Sequence, residues 1–188
     1  VEGCAALTAR QGVDETLGPT LEAWLAPVFD ALPKVMGDRE PVLRAAACRL
    51  ADLGSRLHPD HRADLVFEQV LRAPIAGMRH AERAFLAVAA FARHTSASSV
   101  PEGSTVSRLL TDAQRRRARA LGAAIRLGSD LSGRSSTLLT QSRLGLHDGR
   151  LVLTAMDGWS DMLLGEQTTR RATTVAGLLG LPLEVRRV

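Results

Sequence analysis

Aromatic side chains are scarce in this 188-residue chain, at 3%, and tyrosine is missing altogether. Such an interior has to be built from aliphatic residues and alanine, and small side chains favour helices whose axes lie close together. Lysine is nearly missing too: Lys34 is the sole lysine among 24 basic residues. The positive charge is therefore arginine, which stays ionised and grips phosphate or carboxylate through a planar fork of donors. The net excess of +4 is too mild for a nucleic-acid-binding tail. Two cysteines, Cys4 and Cys48, cannot make a secreted disulfide framework and are read as buried free thiols in a reducing cytoplasm. No apolar run approaches the ~20 residues of a membrane span, and no signal peptide is visible. Walker A, GxGxxG, CxxC and GxSxG patterns are all lacking, so no phosphate loop, dinucleotide fold or nucleophile elbow is expected. The start at Val1 rather than methionine is read as the mark of a piece of a longer chain.

What is present reads as helix. Leu21, Trp24, Leu25, Val28, Phe29 and Leu32 recur at helical spacing, with Pro27 expected to bend or interrupt that helix. A second helix is expected from Asp38 as N-cap through a stripe of Leu43, Ala46, Ala47, Leu50, Leu53 and Leu57. A third runs from Asp60, its cap, to Arg72, and a fourth carries Ala81, Ala84, Phe85, Val88 and Ala92. The stretch from Thr95 to Ser104 loses its period and is read as a mobile loop. Thr111 and Gln114 have capping-box spacing and open a long fifth helix, in which Gly122 and Gly128 imply close approach of another backbone. After Ser135 the period shortens to two, and Asp148-Gly149 between alternating segments predicts a hairpin. A last helix stopping at Gly180, before Pro182, precedes a third strand over 183–187. The fold class expected is mainly α: a helical domain of five to six helices over 1–135, then a small α/β unit with a β-hairpin over 136–188.

Three clusters could carry chemistry. The first is Ala51-Asp52-Leu53-Gly54, followed by Arg56, His58, Asp60, His61 and Arg62, and later His80 and His94. Phosphohydrolases of the HD superfamily hold a divalent metal with an adjacent His-Asp pair in a helix. Here Ala51 stands where that histidine would be, and alanine cannot ligate. The one literal His-Asp pair, His147-Asp148, falls at the hairpin turn, which needs no metal to explain it. The third cluster is the run Arg115-Arg116-Arg117-Ala118-Arg119, ordinarily a solvated helix face, whose like charges leave room for an anionic partner.

In order along the chain, the segment from Cys48 through Ala51-Asp52-Leu53-Gly54 to Arg62, then Val70-Leu71-Arg72-Ala73-Pro74-Ile75-Ala76-Gly77, His80-Ala81-Glu82-Arg83-Ala84-Phe85-Leu86-Ala87, Arg116 to Gly122, and Gly149 to Thr154 resemble the C-terminal region of the bacterial Ppx/GppA family. Two positions depart from it: relatives tend to show tryptophan where Ser55 stands and tyrosine where His61 stands. The resemblance implies an HD-like helical domain with a small α/β element. It belongs to an enzyme that removes the terminal phosphate of polyphosphate or guanosine pentaphosphate with magnesium. Catalysis in the family lies in two N-terminal actin-like domains. This region would then carry no catalytic residue, metal or cofactor of its own, and would serve polyphosphate binding and homodimerisation. The candidate contacts are Arg56, His58, His61, Arg62, Arg79, Arg116 and Arg117. Two rival expectations are an active HD-type phosphohydrolase with altered ligands (Asp52, His58, His61, His80), and a non-enzymatic helical module for nucleic acid or protein.

Overall fold

The computed structural model describes residues 1–9 and 15–187. Among them ten α-helices and three strands follow in order. They are α1 (Glu2–Ala9), α2 (Leu17–Phe29), α3 (Glu40–Arg49), α4 (Pro59–Leu71), α5 (His80–His94), α6 (Gly103–Leu109), α7 (Asp112–Leu131), α8 (Ser136–Leu139), β1 (Ser142–His147), β2 (Arg150–Ala155), α9 (Ser160–Leu163), α10 (Glu166–Leu179) and β3 (Leu183–Arg187). The chain is thus mainly helical with a small sheet at its C-terminal end.

Helix α5 is the centre. Residues Ala84 to Phe91 are all buried, an apolar circumference that suits only a helix covered on every side. It packs between α4 and α7, and α10 lies on α7. Gly122 explains how α5 and α7 come so close: a Cβ there would meet the Ala89 carbonyl oxygen at 2.1 Å. Gly128 instead makes room for side chains of α2: a Cβ there would lie 2.7 Å from Leu21 Cδ2 and 3.3 Å from the Trp24 ring. Gly122 therefore marks the backbone approach expected of it, whereas what crowds Gly128 is the side chains of Leu21 and Trp24 rather than a backbone.

Local signals hold where they are chemical. Thr111 and Gln114 exchange reciprocal hydrogen bonds of 3.2 and 3.0 Å at the start of α7. Asp148 and Gly149 both take left-handed φ, 49° and 71°, the conformation of a two-residue hairpin turn. The resulting β1–β2 pair is antiparallel, and β3 joins β2 in parallel. Cys4 and Cys48 are free and buried, and burial pushes the Cys48 thiol up to about 12.

Other expectations are corrected. The helix after Asp38 begins at Glu40, with Arg39 in the N-cap position but making no side-chain capping bond, while Asp38 sits in a 3-10 turn and pairs with Lys34 at 3.2 Å. It also stops at Arg49. From Leu50 to Leu57 the chain descends through successive turns, such as Leu53 N–H to the Leu50 carbonyl at 3.0 Å, with Gly54 at φ 79°. Leu50 and Leu53 are still buried, because a turn of about three residues keeps their spacing nearly in phase with the helix. The cap of α4 is His58, whose Nδ1 accepts the Asp60 N–H at 3.4 Å, so Asp60 is inside the helix rather than before it. Pro27 falls in the last turn of α2, which continues to Phe29. The irregular stretch after Thr95 gives way to α6 at Gly103.

One apolar cluster runs from Cys4 to Ala176 and includes Leu139, Leu144, Leu151 and Leu153. Within it the Trp24 indole N–H of α2 donates to Ser142 Oγ of β1 at 3.1 Å, tying the helices to the hairpin.

Candidate functional site

Because α3 ends early, the turns carrying Asp52 and Ser55 lie against the C-terminal end of α5 and the end of α7. Between them opens a polar cavity of about 440 Å³, lined by Asp52, Ser55, Arg62, Arg93, His94, Ser129, Asp130, Gly133, Arg134 and Gln167. Four separate segments and the first turn of α10 build it.

Arg93 is its most enclosed cation, 9% exposed. Its Nε donates to the Ala51 carbonyl at 3.1 Å, and its Nη atoms stand 4.0 Å from Asp52 and 3.8 Å from Asp130. Burial lowers the guanidinium pKa to about 10, partly opposed by those two carboxylates, and it stays charged at neutral pH. Asp130 is shared, also meeting Arg171 at 3.1 Å and Arg126 at 3.8 Å. Arg62 donates from Nη2 to the carbonyls of Leu57 and Ser55, at 2.8 and 3.3 Å, which fixes its plane. Arg134 meets no carboxylate among the described residues, and its backbone is left-handed at φ 66°.

His94 is neutral. Burial, with Arg93 and Arg62 nearby, takes its pKa down to about 3. Its Nε2 lies 3.0 Å from the Leu53 carbonyl, which can only accept, so Nε2 carries the proton and Nδ1 is an acceptor. Two buried polar atoms in the lining have no hydrogen-bond partner: Asp52 Oδ1 and Ser129 Oγ.

The residues singled out from the sequence separate into groups. Arg56, His58, His61 and Arg62 share the turns and first helical turn leading into α4, with the two imidazoles 6.2 Å apart. Arg56, His58 and His61 are exposed, and Arg62 alone of the four reaches the cavity. Arg79 stands at the N-cap position of the opposite end of α5, where its backbone N–H donates to Glu82 at 3.0 Å and its side chain shares Glu82 with Arg39. Arg116 is exposed on α7, beside a second cavity with Arg115 and Arg119. Arg117 turns inward to Glu40 and the Pro33 carbonyl. No three His, Cys, Asp or Glu side chains converge as metal ligands among the described residues, so Asp52, His58, His61 and His80 do not form a common site. His147 and Asp148 pair with each other at 3.0 Å on the exposed turn.

Arg93, Ser129, Asp130, Arg134 and Gln167 went unnoticed in the sequence. One signal was there: Arg93 continues the buried stripe of Leu86, Ala89 and Ala90, where a charged residue needs a reason. No curated protein matches the chain. The family model for the C-terminal region of exopolyphosphatases matches residues 6–185, almost the whole length, and the chain belongs to that family.

Proposed function

We propose that this chain is the polyanion-gripping and dimerising part of an exopolyphosphatase, and that it cleaves nothing by itself. Cleavage, with magnesium, belongs on this reading to N-terminal actin-like domains of the same protein, in the cytoplasm. The first 135 residues serve as an HD-like helical body and the remainder as a small α/β unit packed on it. Supporting this is the arginine charge left over once internal pairs are formed. Among the described residues Arg56, Arg62, Arg116 and Arg134 meet no carboxylate, whereas Arg79 and Arg117 are engaged with Glu82 and Glu40. Several unpaired arginines suit a polymer with a phosphate at every step, each contact modest, salt-sensitive and repeated.

The test is titration of long-chain polyphosphate into the protein over a salt series, with Arg56→Glu and Arg116→Glu beside wild type. Affinity should fall linearly on a log–log plot against salt, and the double variant should bind about tenfold or more weakly. Equal affinity in the variant defeats the binding role. Phosphate release from polyphosphate plus magnesium at enzymatic rates would show that the isolated chain is catalytic after all.

A further inference from the structure

The polar cavity at the end of α5 has a composition that a general polyanion groove does not need. Arginines Arg62, Arg93 and Arg134 line it, yet so do the carboxylates of Asp52 and Asp130. Asp130 is already met by Arg171, Arg126 and Arg93. Asp52 is different: it is 8% exposed, its closest cation among the described residues is Arg93 at 4.0 Å, and its Oδ1 accepts no hydrogen bond there. A buried acceptor left without a donor is costly, and a carboxylate can only accept. Ser129, fully buried, has its Oγ unpartnered in the same lining. At about 440 Å³ the space is far larger than the ~30 Å³ share of one water.

Resting on the reading that this chain handles phosphate anions, we infer that the cavity is a subsite for one protonated phosphate group, either free orthophosphate or the end of a chain, and that it discriminates against anions lacking a proton. The arginines hold the charged oxygens. Arg62 and Arg93 are already oriented by the carbonyls of Leu57 and Ala51, so little side-chain freedom is lost on binding. The P–OH donates to the Asp52 carboxylate. Sulfate matches phosphate in shape but has no proton at neutral pH, so Asp52 repels it. A site built to bond a hydroxyl rejects the analogue without one far more strongly than a pocket that only matches shape. Interior phosphates of a polymer, which also lack protons, are excluded by the same contact.

Calorimetric titration with inorganic phosphate, sulfate, linear tripolyphosphate and cyclic trimetaphosphate, at constant ionic strength, tests this. Phosphate should bind at least about tenfold more tightly than sulfate, and trimetaphosphate, which has no ends, should bind no better than sulfate. Tripolyphosphate binding as well as phosphate assigns the site to chain ends, and weaker binding assigns it to free phosphate. Arg134→Ala, a change at an unpaired side chain, should reduce phosphate affinity about tenfold, and Asp52→Asn should narrow the gap between phosphate and sulfate. Equal binding of sulfate and phosphate, no phosphate binding at millimolar concentration, or an unaltered Arg134→Ala affinity overturns the inference. Neither Arg134 nor Asp52 is changed in the Arg56 and Arg116 test, so polyphosphate affinity that responds there while phosphate fails here leaves the broader function standing.

Discussion

Glu40 at the start of α3 and Arg117 in α7 form an ion pair with side chains only 7% and 10% exposed. The other carboxylate oxygen of Glu40 accepts the backbone N–H groups of Val35 and Met36, at 2.6 and 3.1 Å. One carboxylate therefore anchors the loop before α3 and satisfies a cation that would otherwise be stranded. Replacing Glu40 with alanine should lower stability by about 3 kcal/mol, since it leaves both a guanidinium and two amides uncompensated. Urea denaturation followed by circular dichroism measures it, and an unchanged midpoint would show that water replaces the pair freely.

The contact of α5 with α7 is next. Gly122→Ala adds a carbon where the Ala89 carbonyl and the Ala92 Cβ already stand, at 2.1 and 2.8 Å. The helices would have to part, at about 1–3 kcal/mol, although alanine is the better helix former. A stabilised variant would mean the two backbones are not in contact.

Removing the Ser142 hydroxyl should loosen the hairpin from α2. In Ser142→Ala the Trp24 indole N–H, buried, loses its acceptor, and about 1–3 kcal/mol goes with it. Tryptophan emission in the folded state reports the change, with Trp24→Phe as a reference that removes the donor and leaves Trp159 as the remaining emitter.

Stability should fall on mild acidification. His94 has an ordinary value of 6.5 and a folded value of about 3, so in that window the unfolded chain binds a proton that the folded chain does not. Stability is then full above pH 6.5 and is lost as pH drops toward 3, by about 1.4 kcal/mol per unit at most. Glu82, held below the usual carboxylate range by Arg39, adds its own loss only below its ordinary 4.5. Between those pH values His94→Gln should flatten the profile, and identical slopes for variant and wild type would assign the loss to other groups.

Short-range chemistry made much of this fold legible. The Thr111–Gln114 box, the Asp148-Gly149 turn and the Gly180 stop before Pro182 each depend on a few neighbouring residues. The end of α3 was obscured because Leu50 and Leu53 keep a helical rhythm although the backbone there only turns. Arg117 read as one of an outward run, yet which side of α7 faces α3 is decided by packing partners far away in the chain. The cavity was hidden for the same reason. Asp52, Arg93, Asp130 and Gln167 have no mutual spacing to notice, and only the turns after Arg49 bring the first of them into place.

The bond between Trp24 and Ser142 joins residues 118 positions apart. During synthesis α2 therefore leaves the ribosome long before the hairpin that covers it exists. The part of α2 that meets β1, with its indole N–H, waits, open to water or to a chaperone, until the last quarter of the chain has emerged, while its contact with α3 can form early.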